Sequence, residues 1–200
     1  MSKVKLTHAS GNSVSIAAPE SNPASNRTLY VPSNADGTIL TNTTPGCILQ
    51  VLSTPKTDVF TTNSTSYVDV TGLSVAITPA STSSKILVVM NCVVGNDNGT
   101  ALFVQLVRDS TAIHIGDAAG NRTRATSGTG DDPSNEFPYQ LSATFLDSPS
   151  TTSATTYKVQ MLTEPSGNTG YGHLNASGGD LDNNQHARYA SSITVMEVSG

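Results

Sequence analysis

Lys85-Ile86-Leu87-Val88-Val89-Met90-Asn91-Cys92-Val93-Val94 is a run of about ten residues, apolar at nearly every position. Gly95-Asn96-Asp97-Asn98-Gly99 follows, and then a second run, Thr100-Ala101-Leu102-Phe103-Val104-Gln105-Leu106-Val107. Both runs are rich in β-branched residues, which suit a pleated strand and disfavour a helix. Asn, Asp and Gly tolerate positive φ, so the cluster between the runs reads as a chain reversal. The expectation is a β-hairpin over 85–107, with its first strand buried on both faces in the middle of a sandwich. That reading places a core and says nothing about activity.

Composition agrees with strands. Charged residues are only 12% of the 200 and aromatics 5%, with no Trp, and Ser, Thr, Asn and Gly make up the difference. Helical bundles lean instead on Ala, Leu, Glu and Lys. No window sustains a 3.6-residue period, so the chain is predicted to be almost purely β. Two hundred residues allow one sandwich with an appended segment, or two small domains.

Charge and hydropathy exclude some partners. The net charge is −5, the ten basic residues are thinly spread, and aromatics do not interleave with them. Nucleic-acid binding through phosphate neutralisation is therefore not expected. The longest apolar run is roughly half a membrane span, so membrane insertion is not expected either. Met1-Ser2-Lys3-Val4-Lys5 lacks the apolar core of a signal peptide, and the expectation is a protein made in a cytoplasm. Cys47 and Cys92 sit in apolar strand contexts and read as small hydrophobes rather than a disulfide. Asn-x-Ser/Thr occurs six times, at Asn26, Asn42, Asn63, Asn98, Asn121 and Asn175, as chance allows in so polar a chain.

Residues 1–45 differ from the rest. Val4-Lys5-Leu6-Thr7, Val14-Ser15-Ile16-Ala17, Thr28-Leu29-Tyr30-Val31 and Thr38-Ile39-Leu40 are very short strand candidates broken by Pro and Gly. Such pieces cannot close a core by themselves. The segment reads as an arm lying on a partner, as one chain's share of an intertwined shaft, or as a disordered tail. From residue 46 the candidates lengthen: Cys47 to Leu52, Asp58 to Thr62, Tyr67 to Val70, and Leu73 to Thr78 with Leu73, Val75 and Ile77 facing inward. Beyond the central runs come Ala112 to Ile115, Phe137 to Leu146, Tyr157 to Leu162 and Ile193 to Val198, the last expected to pair centrally. Long polar loops are expected at 116–135 and 164–188. Strands at this spacing argue for a sandwich or jelly roll.

Two resemblances attach to these residues. Ser13-Val14-Ser15-Ile16-Ala17-Ala18-Pro19, Ser25-Asn26-Arg27-Thr28-Leu29-Tyr30-Val31-Pro32 and Ala35-Asp36-Gly37-Thr38-Ile39-Leu40 together resemble a segment of tailed-bacteriophage fibre proteins, with Val31-Pro32 where Leu-Pro is usual. The second part resembles a C-terminal domain of marine and cyanobacterial phage fibre and virion proteins. That resemblance rests on Tyr67 to Leu73, Ser83 to Val88, Arg108 to Thr111, Gly116 to Arg122, Phe145 to Pro149 and Ser191 to Glu197. It implies a virion appendage and a jelly-roll-like module that is usually homotrimeric.

No catalytic set emerges. His8, His114, His173 and His186 do not pair at ligand spacing, and His114 between two isoleucines is expected to point outward. His173 and His186 share a loop with Asp180 and Asp182, but nothing fixes a metal geometry. Asp180-Leu181-Asp182-Asn183-Asn184 starts like a calcium loop and fails at Gln185 and Ser191. Gly130-Asp131-Asp132-Pro133 with Glu136 reads as a solvated turn. Gly116 to Arg122 lacks Gly-Lys-Ser/Thr, and no Gly-x-Ser-x-Gly elbow occurs. No catalytic residue, cofactor or metal is assigned. Arg122, Arg124, Tyr171, His173, Arg188 and Tyr189 fall in or beside the long loops and form a candidate recognition face, or else pack the loops and a trimer interface.

The chain is therefore expected to be all-β: an N-terminal arm or shaft, 1–45, then an antiparallel jelly-roll-like sandwich, 46–200, in a homotrimer. Its expected role is non-enzymatic, in the virion of a tailed phage, as a short fibre or spike contacting the host surface. The alternative is a head decoration (cement) protein whose arm clamps the capsid; a secreted lectin is disfavoured by the missing signal peptide. Expected partners are sister chains, a tail hub or major capsid protein, and a host surface polysaccharide.

Overall fold

A computed structural model describes residues 3–7, 9–11, 13–17, 44–97, 99–130, 137–164 and 170–200. The chain divides into two compact units, Met1–Ile39 and Leu40–Gly200. In the first, β1 (Lys3–Thr7) and β2 (Ser13–Ala17) pair antiparallel, with Lys3 opposite Ala17 and Thr7 opposite Ser13. These match the first two short strands expected. Those expected at 28–31 and 38–40 lie outside the described residues.

The second unit contains β3 (Ile48–Lys56), β4 (Phe60–Thr62), β5 (Val68–Ile77), β6 (Lys85–Asn96), β7 (Leu102–Arg108) and β8 (Thr111–Ile113). After them come β9 (Ser127–Gly128), β10 (Tyr139–Asp147), β11 (Thr155–Thr163), β12 (Gly172–Leu174) and β13 (Ser191–Val198). They form two antiparallel sheets. One has the order β3-β13-β6-β10, with β12 and then β4 continuing beside β6 where β13 stops. The other has the order β5-β11-β7-β8, with β9 beside β8 on the edge of β7. The chain passes from sheet to sheet between successive long strands, except at the β7–β8 hairpin. This is the eight-strand jelly roll, two interlocked Greek keys.

That topology corrects the central hairpin. β6 and β7 lie in different sheets, so the chain leaves one sheet after Asn96 and enters the other at Leu102. The Gly/Asn/Asp cluster supplies the turn, but it does not choose which edge the next strand meets. Asn96, 2% exposed, fixes the crossing by donating from Nδ2 to Thr100 O, and Thr100 N–H donates to Asp97 O at 3.1 Å. Asp58 to Val70 behaves the same way: β4 and β5 are separated by a turn yet join opposite sheets.

β6 is central, between β10 and β13, but it is not buried on both faces. Ile86, Val88, Met90, Cys92 and Val94 are fully buried, whereas Leu87, Val89, Asn91 and Val93 are half-buried. Period-2 alternation survives under an apolar run because the outer face is only partly covered. The inner face meets Leu73, Val75 and Ile77 of β5, Leu102, Val104 and Leu106 of β7, and Val159 and Met161 of β11 in one core. Each such side chain contributes roughly 1.5–3 kcal/mol through burial. β13 brings Ile193 and Val195 into that core between β3 and β6, as expected of the last strand.

Polar side chains tie the sheets together at the margins of the core. Asp147 of β10 accepts from Arg108 Nη1 of β7 at 2.8 Å on both oxygens, and from Tyr157 OH of β11 at 2.7 Å. Burial, and then the Asp147 carboxylate, push the Tyr157 phenol well above its ordinary pKa. Glu197, on the inner face of β13, is fully buried. It accepts from Gln50 Nε2 at 2.6 Å and Ala80 N–H at 2.7 Å, with the Ser84 hydroxyl beside it. Burial opposes ionisation there, but these groups outweigh it and hold the carboxyl below the usual carboxylate range.

Candidate recognition surface

The two long loops differ in kind. The first, after β8, is stitched back onto the edge of β7. Thr126 N–H donates to Val104 O at 2.9 Å and Thr129 N–H to Leu102 O at 2.8 Å, and their hydroxyls accept from Leu106 N–H and Leu102 N–H. Its outer part closes on itself: Gly116 N–H donates to Ala125 O at 3.1 Å, and Arg124 Nε to Gly116 O at 2.7 Å. Arg122 reaches Ala119 O from both its N–H and Nη1. Tyr67 OH donates to Arg124 O at 2.8 Å, and burial pushes that phenol up to about 12. Arg122 and Arg124 stand exposed on this frame. His114 is exposed too, as expected, and stacks on Phe145 at 4.8 Å between ring centroids. The acidic residues at 131–136 lie outside the described residues.

The second loop is not the solvated connection expected. It contains β12, and 172–178 are buried throughout. β12 and β13 run along the same edge of β6, Leu174 opposite Val94 and Ser192 opposite Asn91. They are two parts of one strand, interrupted by 175–190. β3 and β4 break beside them in the same way, and Asn175 fills both breaks. Its Nδ2 donates to Lys56 O at 2.8 Å and Asp58 O at 3.0 Å, and its N–H donates to Val93 O at 2.8 Å. Its left-handed φ of 66° turns the chain outward, a conformation that Asn tolerates. The segment then passes directly over Gly95. A Cβ there would stand 2.6 Å from Ala176 O, Ser177 C and Gly178 N.

These facts place the remaining candidate residues. His173 is 7% exposed, with Nδ1 3.2 Å from Thr61 Oγ1 and Nε2 3.5 Å from Asp97 Oδ2, too long for a good hydrogen bond. Tyr171, 44% exposed, donates its N–H to Asp97 Oδ1 and accepts from Asp97 N–H at 3.0 Å. Arg188 pairs with Asp180 at the surface. Tyr189 donates its N–H to Asn175 O at 3.1 Å. Tyr189 also lines a cavity of about 310 Å³ with Phe137, Pro138, Gln185 and His186. Arg122 and Arg124 are thus anchored in one loop, Tyr171 and His173 at the end of β6, and Arg188 and Tyr189 on the strand interruption.

Phe137, Gln185 and His186 were not among the residues expected on the recognition face, and His186 was weighed only as a metal ligand. Phe137 read as the start of a strand, but β10 begins at Tyr139 and Phe137 stands outside it, 62% exposed. Among the described residues no group of three or more His, Cys, Asp or Glu is placed to hold a metal ion. Cys47 and Cys92 are free thiols; burial pushes that of Cys92 up to about 12.

No family model and no curated protein matches the chain. Solved structures similar to it include that of infectious bursal disease virus Gt strain, at 14% identity and a TM-score of 0.41, covering 98% of this chain and 46% of that one. The VP2 subviral particle of infectious bursal disease virus is similar at 13% identity and 0.40, covering 86% of this chain and 45% of that one. The Gx strain structure gives 12% and 0.40, covering 93% and 46%. The chain spans less than half the length of each of these.

Proposed function

We propose that this chain is a non-enzymatic structural protein of a tailed-phage virion, a homotrimeric short fibre or spike that contacts the host surface. The observation that carries the reading is β3. Among the described residues it is an edge strand of the six-stranded sheet, yet Ile48, Val51 and Leu52 are 58%, 53% and 38% exposed. Adjacent residues of a strand face opposite ways, so Val51 and Leu52 present apolar surface on both sides of an open edge. Natural edges are usually blunted by charge, Pro or cover, and here Pro55 and Lys56 appear only at the far end. Association with sister chains covers the edge, and three linked copies multiply weak loop contacts through avidity. The resemblance of 13–40 to phage fibre segments supports the virion assignment, with residues 1–45 as the attachment to a tail hub.

The second reading, a head decoration protein bound to the major capsid protein, is favoured by the separate N-terminal unit Met1–Ile39, which suits a clamp. Copy number in purified particles, by quantitative mass spectrometry, separates the two. Tens of copies or fewer, with binding of the isolated protein to host cells, support the fibre. Hundreds, with heads that lose heat resistance when the protein is removed, support decoration. Absence from the particle overturns both.

A further inference from the structure

The cavity beside Tyr189 lies within the usual size range of small-ligand sites, at about 310 Å³. Two of its walls are aromatic: Phe137, held out in solvent at 62% exposure, and Tyr189, half-buried. Pro138 adds a further apolar surface, and Gln185 and His186 supply polar groups. Gln185 offers an amide, both donor and acceptor. His186 shares Nδ1 with Ser177 Oγ at 2.7 Å, which leaves its second ring nitrogen for a ligand. Among the described residues that line the cavity there is no carboxylate, ammonium or guanidinium, and neighbouring Arg188 is engaged by Asp180.

The frame is fixed before any ligand arrives. Tyr189 N–H is held by Asn175 O, Gln185 N–H by Asn183 Oδ1 at 2.9 Å, and His186 N–H by Asn183 O at 3.3 Å. Binding therefore costs little ordering of the loop. Aromatic walls with an amide and an imidazole suit a ligand with apolar ring faces and a hydroxylated rim. Among the described lining residues a phosphorylated or carboxylated ligand would find no Lys or Arg.

We propose that Phe137, Pro138, Gln185, His186 and Tyr189 form a subsite for one uncharged hexose ring of a surface polysaccharide. The proposal rests on the reading that this protein meets a glycan-coated surface, and it names the ligand class and the residues. A single such site is weak, and the copies in an oligomer make it effective.

Saturation-transfer NMR on the full chain tests it, with methyl glycosides of glucose, galactose and N-acetylglucosamine, and glucuronic acid as the charged comparison. The expected result is transfer to the ring protons of at least one neutral glycoside. Phe137→Ala and Gln185→Ala, both at exposed positions, should each weaken it about tenfold, as loss of one stacking or hydrogen-bonding partner does, with unchanged thermal unfolding. No transfer from any neutral glycoside, a preference for glucuronic acid, or transfer undiminished in both variants overturns the proposal. Failure here in a protein that is present in virions removes the subsite alone. Sugar binding by a protein absent from virions keeps the subsite and removes the virion reading.

Discussion

Ser191 Oγ donates to Asn175 Oδ1 at 2.6 Å, across the 16-residue separation between the point where the second loop leaves the sheet and the point where it returns. The same hydroxyl accepts from Val93 N–H at 3.1 Å, and both residues are buried. One pair of side chains thus closes the excursion 175–190 and joins it to β3, β4 and β6.

This pair should dominate local stability. Asn175→Ala leaves Lys56 O and Asp58 O without their amide donor and places Ala at a left-handed φ, so we expect a loss of about 2–4 kcal/mol. Asn175→Gly relieves the backbone conformation but not the lost bonds, and should fall about 1 kcal/mol short of that loss. Ser191→Ala should cost roughly 1–3 kcal/mol. Urea denaturation of the three variants checks the order.

The tie between sheets at Asp147 gives a second test. Asp147→Ala strands the half-buried Arg108 and the buried Tyr157 hydroxyl, and should cost about 3 kcal/mol. Tyr157→Phe removes one hydrogen bond and should cost about 1–2 kcal/mol. A double-mutant cycle should show strong coupling; additive losses would mean the three groups act separately.

Acid sensitivity follows from Glu197. Its folded pKa is held below the ordinary value of 4.5, so the carboxylate contributes stability that is fully present above that value. The contribution is lost as pH falls through the lower folded pKa. Asp69, held down by Lys158 and then Gln160, acts in the same direction but is more exposed. Glu197→Gln should reduce stability at neutral pH by roughly 1–3 kcal/mol and flatten its fall below pH 4.5, read from melting temperature against pH.

Gly95→Ala should be the most damaging small change on β6. The new methyl meets three backbone atoms of 176–178 at 2.6 Å, and backbone cannot step aside as a flexible side chain does. We expect a loss of about 3 kcal/mol or more, with faster amide exchange across 172–178.

The sequence made the strands of the core legible but not their partners. Alternation in Leu73, Val75 and Ile77 and in Ile193 and Val195 reports a face directly, because burial and pleat share one period. The crossing at Gly95 to Thr100 was misread because the same residue types make a hairpin turn and a passage between sheets. β12 was missed because Gly172-His173-Leu174 is three residues long inside a Gly- and Asn-rich stretch, and its burial comes from β4 and β6 on either side. Asn175 read as one glycosylation match among six, yet it is wholly inaccessible. Of the candidate surface, Tyr189 was visible, but Phe137, Gln185 and His186 meet it only through folding.

The placement of β13 bears on how the molecule is made. β3 and β6 are neighbours only through a strand that leaves the ribosome about a hundred residues after β6 has emerged. Until then a nascent chain holds two half-finished edges, Ile48 to Lys56 on one and Lys85 to Asn91 on the other, both open to adhesion. Sheet closure is therefore a late event of high sequence separation, slow by the cost of loop closure. A cell that produces many copies at once must shield those edges, by chaperone or by dilution, for as long as residues 191–198 are still to come.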